Sequence, residues 1–429
     1  MKILIKGGRL IDPANEIDGP HDLLIEKGKI KQITSPGGIS ESQSEGAKII
    51  DATGLVVSPG FLDMHVHFRE PGYEYKETIE TGCQSAVAGG FTGVAVMPNT
   101  NPVNDNRSVT ELILSQSKAH AGASVYPIPA ISRGLKGEQL TDMAELAEAG
   151  AIGFSDDGRP VTSNELMRRA LEYSKMFDLP IIQHSEVLDL TAGGCMNEGL
   201  ISTELGLKGM PTEAEDIMVY RDISLLPKTG GRLHVAHISS GGAVELVRQA
   251  KAKGLPVTCE VAPHHFILTD ESVRGYDTNT KMSPPLRALR DVEAVKEGMK
   301  DGTIDIIATD HAPHADLDKE VEYSCAAFGI VGLETALPLS MEMVTEEVIT
   351  LPRMIDMLTA SPAKLFKLDK GNLAEGKDAD ITIFDPDTEY TIDISKFRSK
   401  SKNSPFDGRK VRGRVRYTLV KGKILFSEN

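Results

Sequence analysis

The chain has 429 residues, and its 47 Lys and Arg residues against 62 Asp and Glu residues give a net charge of −15. This length allows a barrel of about 250 residues and a second domain. The negative charge argues against nucleic-acid binding, and no apolar run reaches the length of a membrane span, about 18 residues. Four separated cysteines without a C-x-x-C spacing indicate neither a disulfide framework nor a thiolate zinc site, so we expect a cytoplasmic protein.

The chain begins with short predicted strands separated by turns. The strands lie at residues 2–5, 22–26 and 29–33, and Gly and Pro residues stand between them. Residues 40–46 are polar, which is typical of an exposed loop. The strands are too few to bury a core alone, so we expect residues 1–55 to pair with another part of the chain.

Apolar runs and amphipathic segments alternate through the middle of the chain. The runs predict strands at residues 56–67, 90–99, 124–132, 151–157, 180–186, 232–239, 256–265 and 305–314. The segments predict helices at residues 76–88, 109–121, 137–149, 164–177, 213–226, 243–252 and 291–300. Strict alternation implies a parallel sheet, and eight repeats favour a (β/α)8 TIM barrel. An open doubly wound sheet is less favoured, because no Gly-rich phosphate-binding loop follows any strand.

Short strands return at the end of the chain, at residues 381–384, 416–420 and 423–426. The termini of a compact domain often lie close together. We therefore expect residues 372–429 to complete one small β-sandwich with residues 1–55, which leaves residues 56–371 for the barrel.

The first predicted barrel strand ends in His65-Val66-His67. Side chains alternate between the two faces of a strand, so both histidines point the same way while Val66 packs on the other side. Imidazole suits zinc and neighbouring first-row metals, so the pair makes half of a metal site. Taken alone, two such histidines could instead line a polar cavity.

Four further predicted strands end in His or Asp residues, at Asp156-Asp157, His184, His237 and Asp310. In a TIM barrel the carboxyl-terminal ends of the strands form the active-site face. Buried His and Asp side chains are costly without partners, so their repetition at one level predicts a shared ion. Each alone has a simpler explanation: His184 as a satisfied core histidine, or Asp156-Asp157 as a helix cap.

Three other histidines are not assigned to the site. His234 lies three residues before His237, so on a strand it points away from the site, and we assign it to packing. His264 and His265 end the seventh predicted strand. The site is complete without them, so we expect them to pack or to support it from outside.

Seven motifs occur in order along almost the whole chain. They are PGFLDMHVHFREPG at 59–72, MPNT at 97–100, GFSDDG at 153–158, QHSE at 183–186, VAHIS at 235–239, SPPLR at 283–287 and TDHAPH at 309–314. Together they resemble the amidohydrolase superfamily and, within it, the type I bacterial dihydroorotases. Each motif alone is weak, but seven at domain-wide spacing are specific.

The resemblance implies a binuclear zinc site. Its ligands would be His65, His67 and Asp310 for the first ion, His184 and His237 for the second, and Asp157 as the bridge. The choice of Asp157 over Asp156 rests on motif alignment alone. Two close divalent ions activate water and polarise the scissile carbonyl. Asp310 would also be the catalytic residue that carries the proton to the leaving nitrogen.

The same resemblance implies a set of substrate contacts. They are Arg69, Asn99 and His314 around a carboxylate, Ser283, Phe328 and Gly329 around the ring amides, and His67 as a further contact. Arg69 follows His67 by two residues, so it points the same way if strand alternation persists, and a guanidinium matches a carboxylate bidentately. Two features depart from the type I pattern: Ser283 stands where Asn is usual and hydantoinases carry Ser, and no proline precedes Phe328.

The resemblance implies the reversible closure of N-carbamoyl-L-aspartate to dihydroorotate in pyrimidine synthesis. Two alternatives remain: a hydantoinase or allantoinase, which Ser283 favours, and a non-catalytic homologue that scaffolds aspartate transcarbamoylase. A plain hydantoin has no exocyclic carboxylate for Arg69 to bind, and a scaffold should have lost metal ligands. We also expect a homodimer, with aspartate transcarbamoylase as a candidate partner.

Overall fold

The two ends of the chain form one eight-stranded sheet in the structure, a computed structural model that describes residues 2–428. The strands are Lys2–Asp12, Ile17–Glu26, Lys29–Thr34, Lys48–Asp51, Val56–Pro59, Ile381–Thr391, Lys410–Val420 and Lys423–Ser427. Val56–Pro59 pairs parallel with Lys2–Asp12 and antiparallel with Ile381–Thr391. Apolar side chains from both ends, among them Ile5 and Ile381, share one buried core. The predicted pairing of the termini is therefore confirmed.

The run predicted as one strand at residues 56–67 is divided between the two units at Gly60. Its first part, Val56–Pro59, belongs to the terminal sheet, so the barrel begins at Phe61 and not at residue 56 as predicted. Gly60 lies so close to Thr92 that an added Cβ would come within 2.2 Å of that side chain. The sequence shows one unbroken apolar run because only this glycine separates the two strands.

Eight parallel strands form the predicted barrel. They are Phe61–Val66, Phe91–Val96, Ser124–Pro127, Phe154–Ser155, Ile181–Gln183, Leu233–Val235, Val257–Val261 and Ile306–Ile307. Hydrogen bonds outside the regular strand pairing join the strand groups into a ring. The His67 N–H donates to the His311 carbonyl at 2.9 Å, and the Ser155 N–H donates to the Pro129 carbonyl at 3.0 Å. The strands are shorter than predicted, because the polar residues at their carboxyl-terminal ends lie in loops outside the sheet.

Helices surround the barrel and follow most of the predicted segments. Seven lie between its strands: Ile79–Ala88, Arg107–Ala119, Met143–Glu148, Asn164–Ser174, Glu213–Thr229, Gly241–Ala252 and Leu289–Lys300. Three follow the last strand: Ala336–Thr345, Leu351–Leu358 and Ala360–Leu365. Shorter helices lie at Glu41–Ser44, Leu188–Thr191, Leu200–Leu205, Pro263–Ile267 and Asp316–Lys319, and a pair of two-residue strands lies at Met196–Asn197 and Gly209–Met210.

Two short helices replace segments predicted otherwise. Residues 40–46, predicted as a loop, contain the helix Glu41–Ser44, because Ser40 and Gln43 cap its first turn reciprocally. The end of the seventh predicted strand is the helix Pro263–Ile267, whose proline suits the first helical position. Over residues 2–428, no helix is both long enough and apolar enough to pass through a bilayer.

Candidate metal centre and substrate cavity

Six predicted metal ligands meet at the carboxyl-terminal face of the barrel. They are His65, His67, Asp157, His184, His237 and Asp310, and each is at most 5% exposed. Three groups of three each place their ligand atoms within 4.8 Å of one another: His65, His67 and Asp157; Asp157, His184 and His237; and His65, His237 and Asp310. The structure therefore brings the six predicted ligands into one cluster, in which the first two groups are two sets that share the Asp157 carboxylate.

Asp157 lies between the two sets. Its Oδ1 atom is 3.4 Å from His65 Nε2, 3.4 Å from His237 Nε2 and 3.6 Å from His184 Nδ1. Asp156 is engaged elsewhere, because its Oδ1 atom accepts a hydrogen bond from the Ser132 N–H at 2.9 Å. The position of Asp157 suits a carboxylate that bridges two ions, and that of Asp156 does not.

Carboxylates outside the cluster hold two of its imidazole rings. His65 Nδ1 lies 2.6 Å from Glu260 Oε1, and His184 Nε2 lies 3.0 Å from Glu186 Oε2. Such an outer hydrogen bond fixes the orientation of a metal-binding imidazole and raises its basicity. Each ring is thereby left with its other nitrogen turned towards the cluster.

The ligand atoms fit a bound cation. His65 Nε2 and Asp157 Oδ1 are buried without any hydrogen-bond partner among the described residues, although buried polar atoms are normally paired. His184 Nδ1 and His237 Nε2 face each other at 2.9 Å. Histidine nitrogens with carboxylate oxygens are a donor set typical of zinc and related divalent metals, so the residues present suit such ions.

The charges of the cluster support one another. Burial disfavours the charged form of His65, but the carboxylates of Asp157 and Asp310 outweigh it and raise the His65 pKa well above its ordinary value. Burial likewise opposes ionisation of Asp310, but the charge of His65 and a hydrogen bond from His67 lower the Asp310 pKa to about 2. The carboxylate groups are therefore ionised and ready to bind cations.

A cavity of about 600 Å³ opens above the metal centre. Its wall includes the predicted substrate residues His67, Arg69, Asn99, Ser283, His314 and Phe328. Gly329, also predicted, is not in this wall: its N–H donates to the Lys281 carbonyl at 3.0 Å, and its carbonyl accepts from the Asn403 amide at 3.0 Å. The N–H of Gly329 is therefore already engaged within the protein, and the contact of this residue with the ring amides stays a prediction.

Asn99 plays two parts in the cavity. Its Oδ1 atom lies 2.9 Å from His67 Nδ1, so the amide oxygen accepts from this ring. The amide nitrogen remains available, because Asn99 lines the cavity. The predicted substrate contact of Asn99 can therefore be made only through its nitrogen.

Arg69 reaches the cavity by a route different from the predicted one. The strand ends at Val66, and Arg69 itself has a left-handed backbone with φ of 53°. Its Nε donates to the Pro313 carbonyl at 3.1 Å, and Nη2 lies 3.4 Å from His314 Nε2. Within residues 2–428, no carboxylate oxygen lies within 4.0 Å of this guanidinium. Burial lowers the Arg69 pKa to about 10, which still leaves the group charged at neutral pH.

His314 is held as a neutral ring beside Arg69. Lys76 Nζ lies 3.2 Å from His314 Nδ1 and can only donate to it, so the His314 proton lies on Nε2, which is 2.8 Å from the Phe328 carbonyl. Burial, with the charges of Arg69 and Lys76, lowers the His314 pKa to about 2. His314 therefore adds no positive charge to the cavity at neutral pH.

The sequence reasoning missed Glu260 and Lys76. Glu260 stands alone as an acid within an apolar predicted strand, and a buried, isolated acid is unusual enough to be a usable signal. Lys76 lies in a polar segment that gave no comparable signal. Both contact residues that the sequence did predict.

Comparison with known sequences identifies relatives along the whole chain. The amidohydrolase family model matches residues 56–425. The chain is 53% identical over 429 residues to a dihydroorotase of Syntrophus aciditrophicus, covering 100% of both chains. It is also 53% identical over 426 residues to a dihydroorotase of Geobacter metallireducens, covering 99% of this chain and 100% of the relative.

Solved structures of similar shape include a hydantoinase and a dihydropyrimidinase. An L-hydantoinase (dihydropyrimidinase) from Arthrobacter aurescens matches with a TM-score of 0.88 and 27% identity, covering 98% of this chain and 95% of that one. A dihydropyrimidinase from Brevibacillus agri matches with a TM-score of 0.82 and 23% identity, covering 99% and 95%. At the latter identity the likeness is one of fold alone.

Proposed function

The chain belongs to the amidohydrolase family and is a dihydroorotase within it, and on that premise we propose how its cavity interconverts N-carbamoyl-L-aspartate and dihydroorotate. The observation that supports this proposal most directly is Arg69, a cavity-lining guanidinium without an acidic partner among the described residues. Dihydroorotate combines a cyclic amide with an exocyclic carboxylate. The first group matches the metal centre, and the second matches Arg69.

We propose zinc at two positions. His65, His67 and Asp310 would hold one ion, His184 and His237 the other, and Asp157 would contribute to both. When bound, the ions would lower the pKa of a water molecule and polarise the amide carbonyl. The unpaired ligand atoms of His65 and Asp157 support this assignment.

We propose that Asp310 moves the proton that the reaction needs. It lines the cavity and approaches His67 Nε2 through Oδ1 at 3.0 Å. In hydrolysis its carboxylate would accept a proton from the attacking water and deliver it to the ring nitrogen as the C–N bond breaks. In cyclisation it would take the proton from the carbamoyl nitrogen and return it to the departing water.

Arg69 and the Asn99 amide nitrogen would bind the substrate carboxylate. The neutral His314 would hold the Phe328 backbone in place beside Arg69, and Ser283, which also lines the cavity, would contact the ring. A hydantoin without an exocyclic carboxylate would leave the Arg69 charge unpaired in the cavity. The proposal therefore favours dihydroorotate over plain hydantoins in spite of Ser283.

We also propose a cytoplasmic location and a homodimer. Four free cysteines suit a reducing compartment. The homodimer and the aspartate transcarbamoylase partner are supported by the family resemblance alone. Light scattering of the purified protein, with and without that enzyme, tests both.

The test of the proposed function is metal analysis combined with an assay. We expect about two zinc ions per chain, loss of dihydroorotate hydrolysis after treatment with a chelator, and recovery when zinc is added. Thermal unfolding should also shift to lower temperature in the chelated protein, because an ion that binds only the folded state stabilises it. Full activity in protein stripped of metal would contradict the metal assignment, and hydantoin turnover equal to that of dihydroorotate would contradict the substrate assignment.

A further inference from the structure

Glu260 is a buried carboxylate that the proposed reaction does not use. It lies in the strand Val257–Val261, next to the metal centre, and is 1% exposed. Its Oε1 atom is 2.6 Å from His65 Nδ1, and its Oε2 atom is 3.0 Å from His234 Nε2. A carboxylate this deeply buried is costly unless hydrogen bonds compensate it, and these two rings supply them.

The hydrogen bonds determine where the protons lie. The Thr258 hydroxyl is 2.9 Å from His234 Nδ1 and 3.4 Å from the Leu233 carbonyl, so its better contact is as donor to the ring. His234 then carries its proton on Nε2 and donates it to Glu260. An ionised carboxylate only accepts, so the His65 proton lies on Nδ1.

The consequence falls on the other nitrogen of His65. Because Glu260 holds the proton on Nδ1, Nε2 is the nitrogen that gives up its proton to a cation, and it faces Asp157 and Asp310 at 3.4 Å and 3.5 Å. Nε2 has no hydrogen-bond partner in the described chain. The chain of contacts from Thr258 therefore fixes which nitrogen of His65 is offered to a cation.

Glu260 also contacts the second half of the cluster. The His237 N–H lies 3.4 Å from Glu260 Oε1, a long contact to the same oxygen that accepts from His65. His237 has a left-handed backbone with φ of 30°, a conformation that non-glycine residues adopt at a cost. One buried carboxylate thus touches a candidate ligand of each ion.

We infer that Glu260, with His234 behind it, is a positioning residue that fixes the tautomer and ring orientation of His65 in the metal centre. The inference rests on the proposed metal site. It gives a role to His234, which the alternation of the strand had assigned to packing.

The first test is Glu260→Gln in the full-length protein. Gln keeps the shape but loses the negative charge and places N–H donors beside rings that already donate. We expect the zinc affinity, measured by competition with a chromophoric chelator, to fall about 10- to 100-fold. Raising free zinc should restore activity, and the circular dichroism spectrum should not change. The matched control is Asp222→Asn, another buried acid that lies outside the cavity wall, and its zinc affinity should stay at the wild-type value.

A second pair of variants separates positioning from packing. His234→Gln can still present an N–H to Glu260, whereas His234→Phe fills the space without one. We expect the Gln variant to bind zinc nearly as wild type and the Phe variant to be weakened like Glu260→Gln. If Glu260→Gln does not fold, the two His234 variants still show whether the hydrogen bond to Glu260 affects zinc affinity.

Two results would overturn the inference: wild-type zinc affinity in Glu260→Gln, or equal zinc affinity in the two His234 variants. A wild-type protein that binds no zinc would instead contradict the proposed metal site. The two failures are therefore distinguishable.

Discussion

Replacing Arg69 by Met should abolish recognition of the substrate carboxylate and leave the metal centre intact. Met keeps much of the apolar stem of the side chain while removing the guanidinium. Arg69 makes no contact with a metal ligand among its hydrogen bonds, which go to Pro313 and His314. The metal content of the variant should therefore equal that of the wild type.

The size of the effect follows from the surroundings of Arg69. Truncating one partner of a buried charge pair costs about 2–5 kcal/mol. Arg69 is only partly buried, and its Nε is already bonded to Pro313, so only the Nη groups are free for substrate. We therefore expect the lower part of that range, about 2–3 kcal/mol, which lowers kcat/KM about thirty-fold to 150-fold.

The assay compares two substrates in one set of variants. Hydrolysis of dihydroorotate should fall by this factor in Arg69→Met, and hydrolysis of dihydrouracil, which lacks the carboxylate, should stay at its low wild-type rate. Arg290→Met is the matched control, because that side chain is 80% exposed. An equal loss on both substrates would refute the reasoning, since it would mean that Arg69 acts on the chemistry and not on the carboxylate.

His184→Ala should lose one metal ion and nearly all activity while the barrel stays folded, as measured by metal analysis and circular dichroism. The control His120→Ala, at an exposed position, should keep both ions. An unchanged metal content in His184→Ala would show that His184 is not a metal ligand. Lys76→Met should raise the pKa of His314, because one charge that lowers it is removed while burial, the largest cause, and Arg69 remain. The ring should therefore gain its proton at a higher pH in the variant than in the wild type, as measured from its proton chemical shifts by NMR. A His314 pKa at or below the wild-type value would contradict this explanation.

The repeating pattern of the chain was sufficient to predict the barrel and the pairing of its ends. Alternation of apolar runs and amphipathic segments is a local property, and it is visible in the sequence. The division at Gly60 was not visible, because Val56–Pro59 is apolar for the same reason in either unit. Its partner, Ile381–Thr391, lies far away along the chain, and only the folded structure shows the pairing.

In the candidate site, too, the sequence did not show contacts between residues that lie far apart along the chain. Strand alternation assigned His234 to packing, and it could not show that Glu260 of the neighbouring strand connects His234 to His65. Arg69 lines the cavity as expected, although the strand ends at Val66 and strand alternation therefore does not extend to this residue. Gly329 does not line the cavity and its backbone is hydrogen-bonded within the protein, which the sequence could not show, so its contact with the ring stays a prediction.

The middle position of Val56–Pro59 in the terminal sheet has a consequence for the order of events during synthesis. One neighbour, Lys2–Asp12, leaves the ribosome before it, and the other, Ile381–Thr391, leaves only after the whole barrel. Until then one edge of this strand is open, and an open edge can pair with a wrong strand. The last strands of the chain therefore complete the terminal sheet only after every strand of the barrel has been synthesised.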